Sequence, residues 1–387
     1  MATKKNIKLS YTNINLNSQT PTFPNFRKYK NWINYGDSND FPQRIINLNN
    51  QSAVNKAILD NKVTYILGDG IDDSEFYFGT PNQTDTWDSF IEKVTKDYVT
   101  FGGFCFQVIV NENGTSFSLY HTDFSKVRCG DFNEYGIILN YYISNDWTKT
   151  AGRTAPVGVK AWGTEQPTKG ERYLYYYKDY TAGLDYYPIP SYYSAIDYVE
   201  ADGLLAKFYR NSINNGFTPS TIITMPANPS DEEKEAFQAD MERNFCGSEG
   251  ANSFMVLWGE SQEIKPVVTS FSASQNADLY NNVNDVIFQK IISAHRLTSP
   301  TLAGISGSGN LSGNANEITN AYILYNYTVI QQLRRNILDC LNQFVIMNGY
   351  TGKLKIKELD VIGKIAEAAT PETDSEEENN NETNTVN

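Results

Sequence analysis

Apolar residues recur every three or four positions along some stretches of this chain and every second position along others. A helical stretch starts near Pro42, a residue suited to a first helical turn. A second runs from Ser52, an N-cap residue type, to about Leu67, where Gly68 can close it. Trp87, Phe90, Ile91, Val94 and Tyr98 hold helical spacing in a third, which ends at Gly102-Gly103. The period then changes. FCFQVIVNENGTSFSLYH (104–121) sets two apolar runs around Asn113-Gly114, a hairpin signature. GIILNYYIS (136–144) and RYLYYYK (172–178) predict further strands. Residues 40–180 therefore predict an α+β domain. The polar stretch 1–35, with Pro21 and Pro24, reads as an extended arm.

Pro188 and Pro190 punctuate the pattern. SYYSAIDYVEADGLLAKFYRNSINNG (191–216) then predicts a helix capped by Ser191 and stopped by Gly216, roughly 37 Å long. Gly203 weakens this helix but allows close packing. STIITM (220–225), SFMVLWG (253–259) and IKPVVTS (264–270) predict strands. Between the first two, PSDEEKEAFQADMERNFCG (229–247) predicts a helix with a capping box, Ser230 standing three residues before Glu233. This is a small β-α-β-β insert. In 273–297, Leu279, Val283, Val286, Ile287, Ile291 and Ala294 fall on one helical stripe, and Pro300 ends it. After the run GISGSGNLSGN (304–314), a last helix covers 314–350, roughly 50 Å, from an Asn314/Glu317 capping pair to Gly349. KLKIKEL (353–359) predicts one more strand.

The chain has 387 residues, 40% of them hydrophobic, enough for real cores. Its 26 tyrosines suit half-buried strands and wet subunit interfaces. Net charge is −13, unevenly spread: residues 366–387 carry seven acids and no Lys or Arg. That polar acidic tail reads as disordered. An acidic chain is not built for tight nucleic-acid binding, which depends on neutralising phosphates. Cys105, Cys129, Cys246 and Cys340 are widely spaced and read as buried free thiols of a reducing compartment. No signal peptide and no run of 18 apolar residues is present, so no membrane partner is expected.

The glycine run does not fit a nucleotide site. A P-loop needs Gly-x-x-x-x-Gly-Lys-Ser/Thr after a strand, but here no lysine lies between Gly304 and Asn320 and a helix precedes. Gly307, Gly309 and Gly313 also miss the dinucleotide spacing. The run reads as a loop joining two helices. His121 and His295 stand alone, without ligands at zinc spacing. DGIDD (69–73) lacks EF-hand spacing and reads as a solvated acidic turn. No cofactor, metal site or catalytic group is expected. Lys207, Arg210, Lys290, Arg296, Arg334 and Arg335 lie on the long helices, either as solvated faces or beside a polyanion or a neighbouring subunit.

The order of parts resembles the portal proteins of tailed bacteriophages. The resemblance is carried by YGDSNDFPQRIINLNNQSAVNKAILDNKVTYILGDGI (35–71), FGGFCFQVIVNENG (101–114), YYPIPSYYSAI (186–196) and LYNNVNDVIFQKIISAHRLTSPTLAGI (279–305). It implies a portal-like α+β fold. Residues 1–190 become an N-terminal arm and α+β wing. Helices 191–216 and 271–303 become a two-helix stem, with 217–270 as a small α/β clip between them. Residues 304–313 become a tunnel loop, 314–365 a long wing/crown helix and strand, and 366–387 the disordered tail. The crown is expected to be short or missing.

The same resemblance implies a non-enzymatic homo-oligomeric ring, usually of twelve subunits, in the virion at the capsid portal vertex and made in the host cytoplasm. It would pass double-stranded DNA during packaging and ejection. Its partners would be the terminase large subunit, a head–tail adaptor and the major capsid protein. Ser306, Gly307, Ser308, Gly309, Asn310, Leu311, Ser312 and Gly313 would face DNA. Lys207, Arg210, Lys290 and Arg296 become channel or subunit-interface residues, and Asp231, Glu232, Glu233 and Trp258 a clip docking surface. A phage adaptor or tail ring protein is the alternative, and an uncharacterised enzyme stands third.

Overall fold

The computed structural model describes residues 26–214, 221–225, 230–236, 254–258, 267–270, 277–304 and 315–359. The described chain begins with a small hairpin, β1 (Lys28–Tyr29) and β2 (Trp32–Ile33). Helices α1 (Phe41–Gln51) and α2 (Ala53–Leu67) follow, separated only by Ser52. The Ser52 backbone is extended and its hydroxyl accepts from the Asn55 amide, so one residue both turns the corner and caps α2. Thr86 caps α3 (Trp87–Phe101) in the same way, and Gly102, left-handed at φ 79°, ends it.

A six-stranded sheet comes next, in the order β4-β3-β8-β7-β6-β5. Its strands are β3 (Gly103–Val110), β4 (Phe117–Thr122), β5 (Val127–Cys129), β6 (Asn140–Ile143), β7 (Val157–Ala161) and β8 (Arg172–Lys178). Only β7 and β8 pair in parallel. The tyrosine-rich β8 lies against β3, stacking Tyr177 on Phe104 and Tyr175 on Phe106. The Asn113-Gly114 hairpin forms with a longer loop than a two-residue turn, closed by the Asn111 amide on the Ser116 carbonyl. Strands β5 and β7 are short and carry no strong alternation, so the periodicity did not reveal them.

Helix α4 (Ile196–Asn214) starts five residues later than Ser191, because a 3-10 turn over Tyr193–Ala195 comes first. Beyond it lies a three-stranded sheet of β9 (Thr221–Met225), β10 (Phe254–Trp258) and β11 (Val267–Ser270), in the order β10-β9-β11. β9 and β10 are parallel, a pairing that requires a crossover. Residues 231–236 of that crossover are helical (α5). The capping box forms: the Ser230 amide donates to Glu233 Oε2 at 3.0 Å and the Glu233 amide to Ser230 Oγ at 3.4 Å.

Helix α6 (Ala277–Ala294) packs against α4, with the start of α4 near the end of α6, so the two are antiparallel. The predicted apolar stripe of α6 divides: Ile287 and Ile291 are buried, while Val283 and Val286 are exposed. After the 3-10 turn Pro300–Ala303, the last helical run comprises α7 (Ala315–Tyr325), a π turn (Asn326–Ile330) and α8 (Gln331–Met347). The sequence pattern predicts a single helix over 314–350, and the structure interrupts it with the π turn. The π turn sits where the hydroxyls of Tyr322 and Tyr325 and the Asn326 side-chain oxygen Oδ1 are buried without hydrogen-bond partners among the described residues. Asn314, half of the expected capping pair, lies outside the described residues.

Phe344 on α8 packs against Phe106, Trp162 and Tyr175, joining α8 to the large sheet. KLKIKEL forms no full strand, only a bridge from Ile356 to Ile71. That bridge explains DGIDD: the Asp69 and Asp72 amides donate to the carbonyls of Lys357 and Lys355, and Lys357 lies near Asp72 and Asp73.

Candidate functional site

The four stretches that carry the family resemblance meet at one place, the foot of the α4/α6 pair. Tyr35 stacks on Tyr187 at 4.1 Å between ring centroids and donates to the Pro188 carbonyl. Tyr187 donates in turn to the Ile33 carbonyl. Asn39, held at φ 59°, accepts from Arg128 through its side chain and its backbone carbonyl. Arg128 is fully buried, satisfied by these and the Ser125 and Val127 carbonyls, with its guanidinium over the Trp147 ring. Gly102 and Gly103 are needed because the 188–190 segment and strand β8 run hard against them. A Cβ on Gly102 would sit 2.6 Å from the Ile189 carbonyl oxygen, and one on Gly103 2.7 Å from that of Tyr177.

The segment then delivers Tyr192 to a buried polar chain. His295, at the end of α6, stacks on Tyr192 at 4.8 Å. Lys62 Nζ lies 3.2 Å from His295 Nδ1, and His295 Nε2 lies 2.8 Å from Asn55 Oδ1. An ammonium can only donate, so Nδ1 accepts and the imidazole proton sits on Nε2. Asn55 Nδ2 donates to Asn49 Oδ1, and Asn49 Nδ2 donates to the Tyr192 hydroxyl, which reaches the Thr100 carbonyl. One chain of polar groups thus connects α6, α2, α1, the lead-in to α4, and α3. Beside it Ser52 Oγ donates to Asp202 of α4 at 2.6 Å. Gly203 lets α4 approach closely: a Cβ there would sit 3.0 Å from that of Gln51.

The electrostatics of this junction are unusual. Lys62 is buried with no carboxylate among the described residues beside it. Burial, and after it the nearby Arg296 guanidinium, lowers its pKa from 10.5 to about 8. Burial, and then the Lys62 charge, holds His295 well below its ordinary value. At neutral pH the pair is a charged lysine donating to a neutral imidazole. His121 is also structural in its contacts, meeting Asp97 at 2.9 Å.

Of the predicted basic residues, Lys207 is exposed and donates to Gln51 Oε1 at 3.1 Å. Arg210 and Lys290 are exposed on α4 and α6. Arg296 occupies a left-handed position, φ 57°, just past α6. There the Arg296 amide bonds to the Ser293 carbonyl and the Leu297 amide to that of Ile292, the helix-ending pattern in which glycine usually takes the left-handed residue. The end of α8 has the same pattern with Gly349 in that place. The Arg296 guanidinium also donates to the Thr328 carbonyl in the π turn. Arg334 is absorbed internally, donating to the Tyr65 and Ile66 carbonyls at the end of α2 and meeting Glu358 at 3.3 Å.

Ser306, Gly307, Ser308, Gly309, Asn310, Leu311, Ser312 and Gly313 lie outside the described residues. The run's leading edge is pinned: Ser299 caps the Pro300–Ala303 turn, the Leu302 carbonyl accepts from Tyr65, and Gly304 is left-handed. Asp231, Glu232 and Glu233 are exposed at the start of α5, Asp231 paired with Lys234. Trp258 ends β10 opposite Met225, and its side chain is outside the described residues. Sequence reasoning missed the polar chain. The signal was present, because Asn55 and Lys62 fall at helical spacing with Ile58, Leu59 and Ile66 on the buried side of α2.

The helix pair also shows an apolar face. Leu204 is 56% exposed, Phe208 42%, Val283 41% and Val286 51%. A groove of about 420 Å³ between α4 and α6 is lined by Asp197, Tyr198, Ala201, Val283, Val286 and Ile287.

The family model described as phage portal protein matches residues 75–370. The chain belongs to the phage portal protein family. Solved structures share the portal-family chain's fold at low identity. A chain in "Neck of empty GTA particle computed with C6 symmetry" is 15% identical with a TM-score of 0.54, covering 84% of this chain and 88% of that one. One in "Virion of native gene transfer agent (GTA) particle" is 14% identical with a TM-score of 0.54, covering 84% and 86%. One in "Neck of native GTA particle computed with C12 symmetry" is 13% identical with a TM-score of 0.52, covering 84% and 88%. Comparison with curated proteins gives no match. No helix among the described residues of this portal-family chain is long and apolar enough to cross a membrane. Among the described residues no group of three His, Cys, Asp or Glu side chains could hold a metal ion.

Proposed function

We propose that this chain assembles with copies of itself into the portal ring of a phage-like particle and forms a channel for double-stranded DNA. The role is structural rather than enzymatic. One observation carries the ring reading: the α4/α6 pair leaves Leu204, Val283 and Val286 exposed on long helices. Exposed apolar side chains on a long helix pair favour association, and a head-to-tail contact repeated by rotation closes a ring. Membership of the portal family supports the same reading. We assign residues 1–190 to arm and wing, 191–216 and 271–303 to the stem, 217–270 to the clip, 304–313 to the tunnel loop and 314–365 to the long helix and the short segment after it. The clip surface around Asp231, Glu232, Glu233 and Trp258 would dock terminase and later a head–tail adaptor, while the outer ring meets the capsid protein.

The tunnel loop would project toward DNA from the pinned turn at 299–304. Glycine and serine give it reach without cations, which suits passage, because each neutralised phosphate adds salt-dependent affinity. Deleting residues 306–313 tests this assignment. The expected result is normal ring assembly with impaired DNA packaging or retention in particles. Normal packaging by the deletion variant would overturn the loop's role.

A further inference from the structure

A groove of about 460 Å³ runs between α8 and the segment 353–358. Leu338, Leu354 and Ile356 give it an apolar base, and Arg335, Lys353 and Lys355 stand along it. Arg335 and Lys353 are exposed and make no ion pair or hydrogen bond among the described residues. Lys355 meets Glu75 at 3.5 Å, with both side chains well exposed. Two acids share the groove. Glu358 is already held by Arg334 and accepts from Asn326 and Gln331. Among the described lining residues only Asp339 is left to oppose Arg335 and Lys353.

The described chain ends at Leu359, the residue after Glu358, at the edge of this groove. The 28 residues beyond it carry eight acids and one lysine. Their order matches the groove: Val361, Ile362 and Ile365 come first, and the acids cluster from Glu367 to Glu382. We propose that residues 360–387 fold back as a strap into the groove of their own chain, apolar residues on the Leu338/Leu354/Ile356 base and carboxylates on Arg335, Lys353 and Lys355. The tether is a few residues long, so the local concentration of the strap is about millimolar or higher, enough for weak contacts to hold. Each exposed ion pair contributes only about 0.2–1 kcal/mol, so the strap is reversible and weakened by salt. Its effect is to cover the basic groove of a chain whose proposed work is to pass a polyanion without gripping it. The docking itself follows from the groove and the tail alone and does not depend on the portal assignment.

Proteolysis of the full chain with a Glu-specific protease reads the tail directly. In wild type at low salt, cleavage within 367–382 should be slow, and the R335E/K353E variant should be cut roughly five- to tenfold faster. The conservative R335K/K353R variant should keep wild-type protection, which separates lost docking from lost folding. Adding E376K/E377K/E378K to the R335E/K353E background should restore carbodiimide cross-links between tail and groove. Equal cleavage rates in wild type and R335E/K353E would overturn the proposal. So would cross-links found only between differently labelled chains, because the strap would then belong to a second copy.

Discussion

Lys62 offers the sharpest test of the junction beneath the two helices. Its pKa falls from 10.5 to about 8 through burial first and the Arg296 charge second. That gap corresponds to about 3 kcal/mol of folding free energy at neutral pH. The sign is set by proton counting. Between pH 8 and 10.5 the unfolded chain holds the Lys62 proton and the native chain has released it, so the cost of burying Lys62 shrinks as pH rises. Above 10.5 its cost is gone, and below 8 the full cost is present. Lys62→Met removes the titration and leaves His295 Nδ1 without a donor, a cost of about 1–3 kcal/mol that does not change in this window. Urea midpoints of both proteins, taken from pH 7 to pH 10 with the same protein concentration, give the difference. Tyrosines titrate equally in both and cancel. Wild type should gain on the variant by about 2–3 kcal/mol across that range. A constant difference would refute the assignment of a buried ammonium without a carboxylate partner.

His295 is held neutral, so the protein loses stability as pH falls below its ordinary value, and Lys62→Met should lessen this acid sensitivity, read as a smaller fall in melting temperature between pH 7 and 5. Arg296→Gly should be more stable than Arg296→Ala by about 1 kcal/mol in urea denaturation, because only glycine takes the left-handed residue without strain. Gly68→Ala should cost more than about 2 kcal/mol, since its Cβ would fall 2.0 Å from the Lys357 carbonyl oxygen. Gly349→Ala, with φ 89° but open space around it, should cost only about 1 kcal/mol.

Where a residue's role is set by local chain geometry, the sequence was readable. Ser52, Gly68, Gly102 and the Ser230/Glu233 pair do in space what their positions suggested. The insert's β-α-β-β order also appears, because each strand is a short apolar run between turn residues. The family resemblance was legible for a physical reason: its scattered tyrosines, glycines and prolines are the residues that pack around the lead-in to α4. Long-range features were not. Nothing in the 3-4 rhythm of 314–350 signals a π turn, because one extra residue leaves the apolar spacing on both sides intact. Strands β5 and β7 depend on their neighbours for hydrogen bonds and carry little pattern of their own. The apolar stripe of α6 promised burial throughout, yet Val283 and Val286 meet solvent in the single chain. A stripe cannot say whether its partner is the same chain or another.

Native mass spectrometry of the purified chain, with negative-stain images of the same sample, should be compared with a Leu204→Glu/Val286→Glu variant. The account predicts closed rings of about a dozen subunits with a central hole for wild type, and dispersed subunits of unchanged fold for the variant. A stable dimer or tetramer without a hole, or rings that form equally well from the variant, would contradict it.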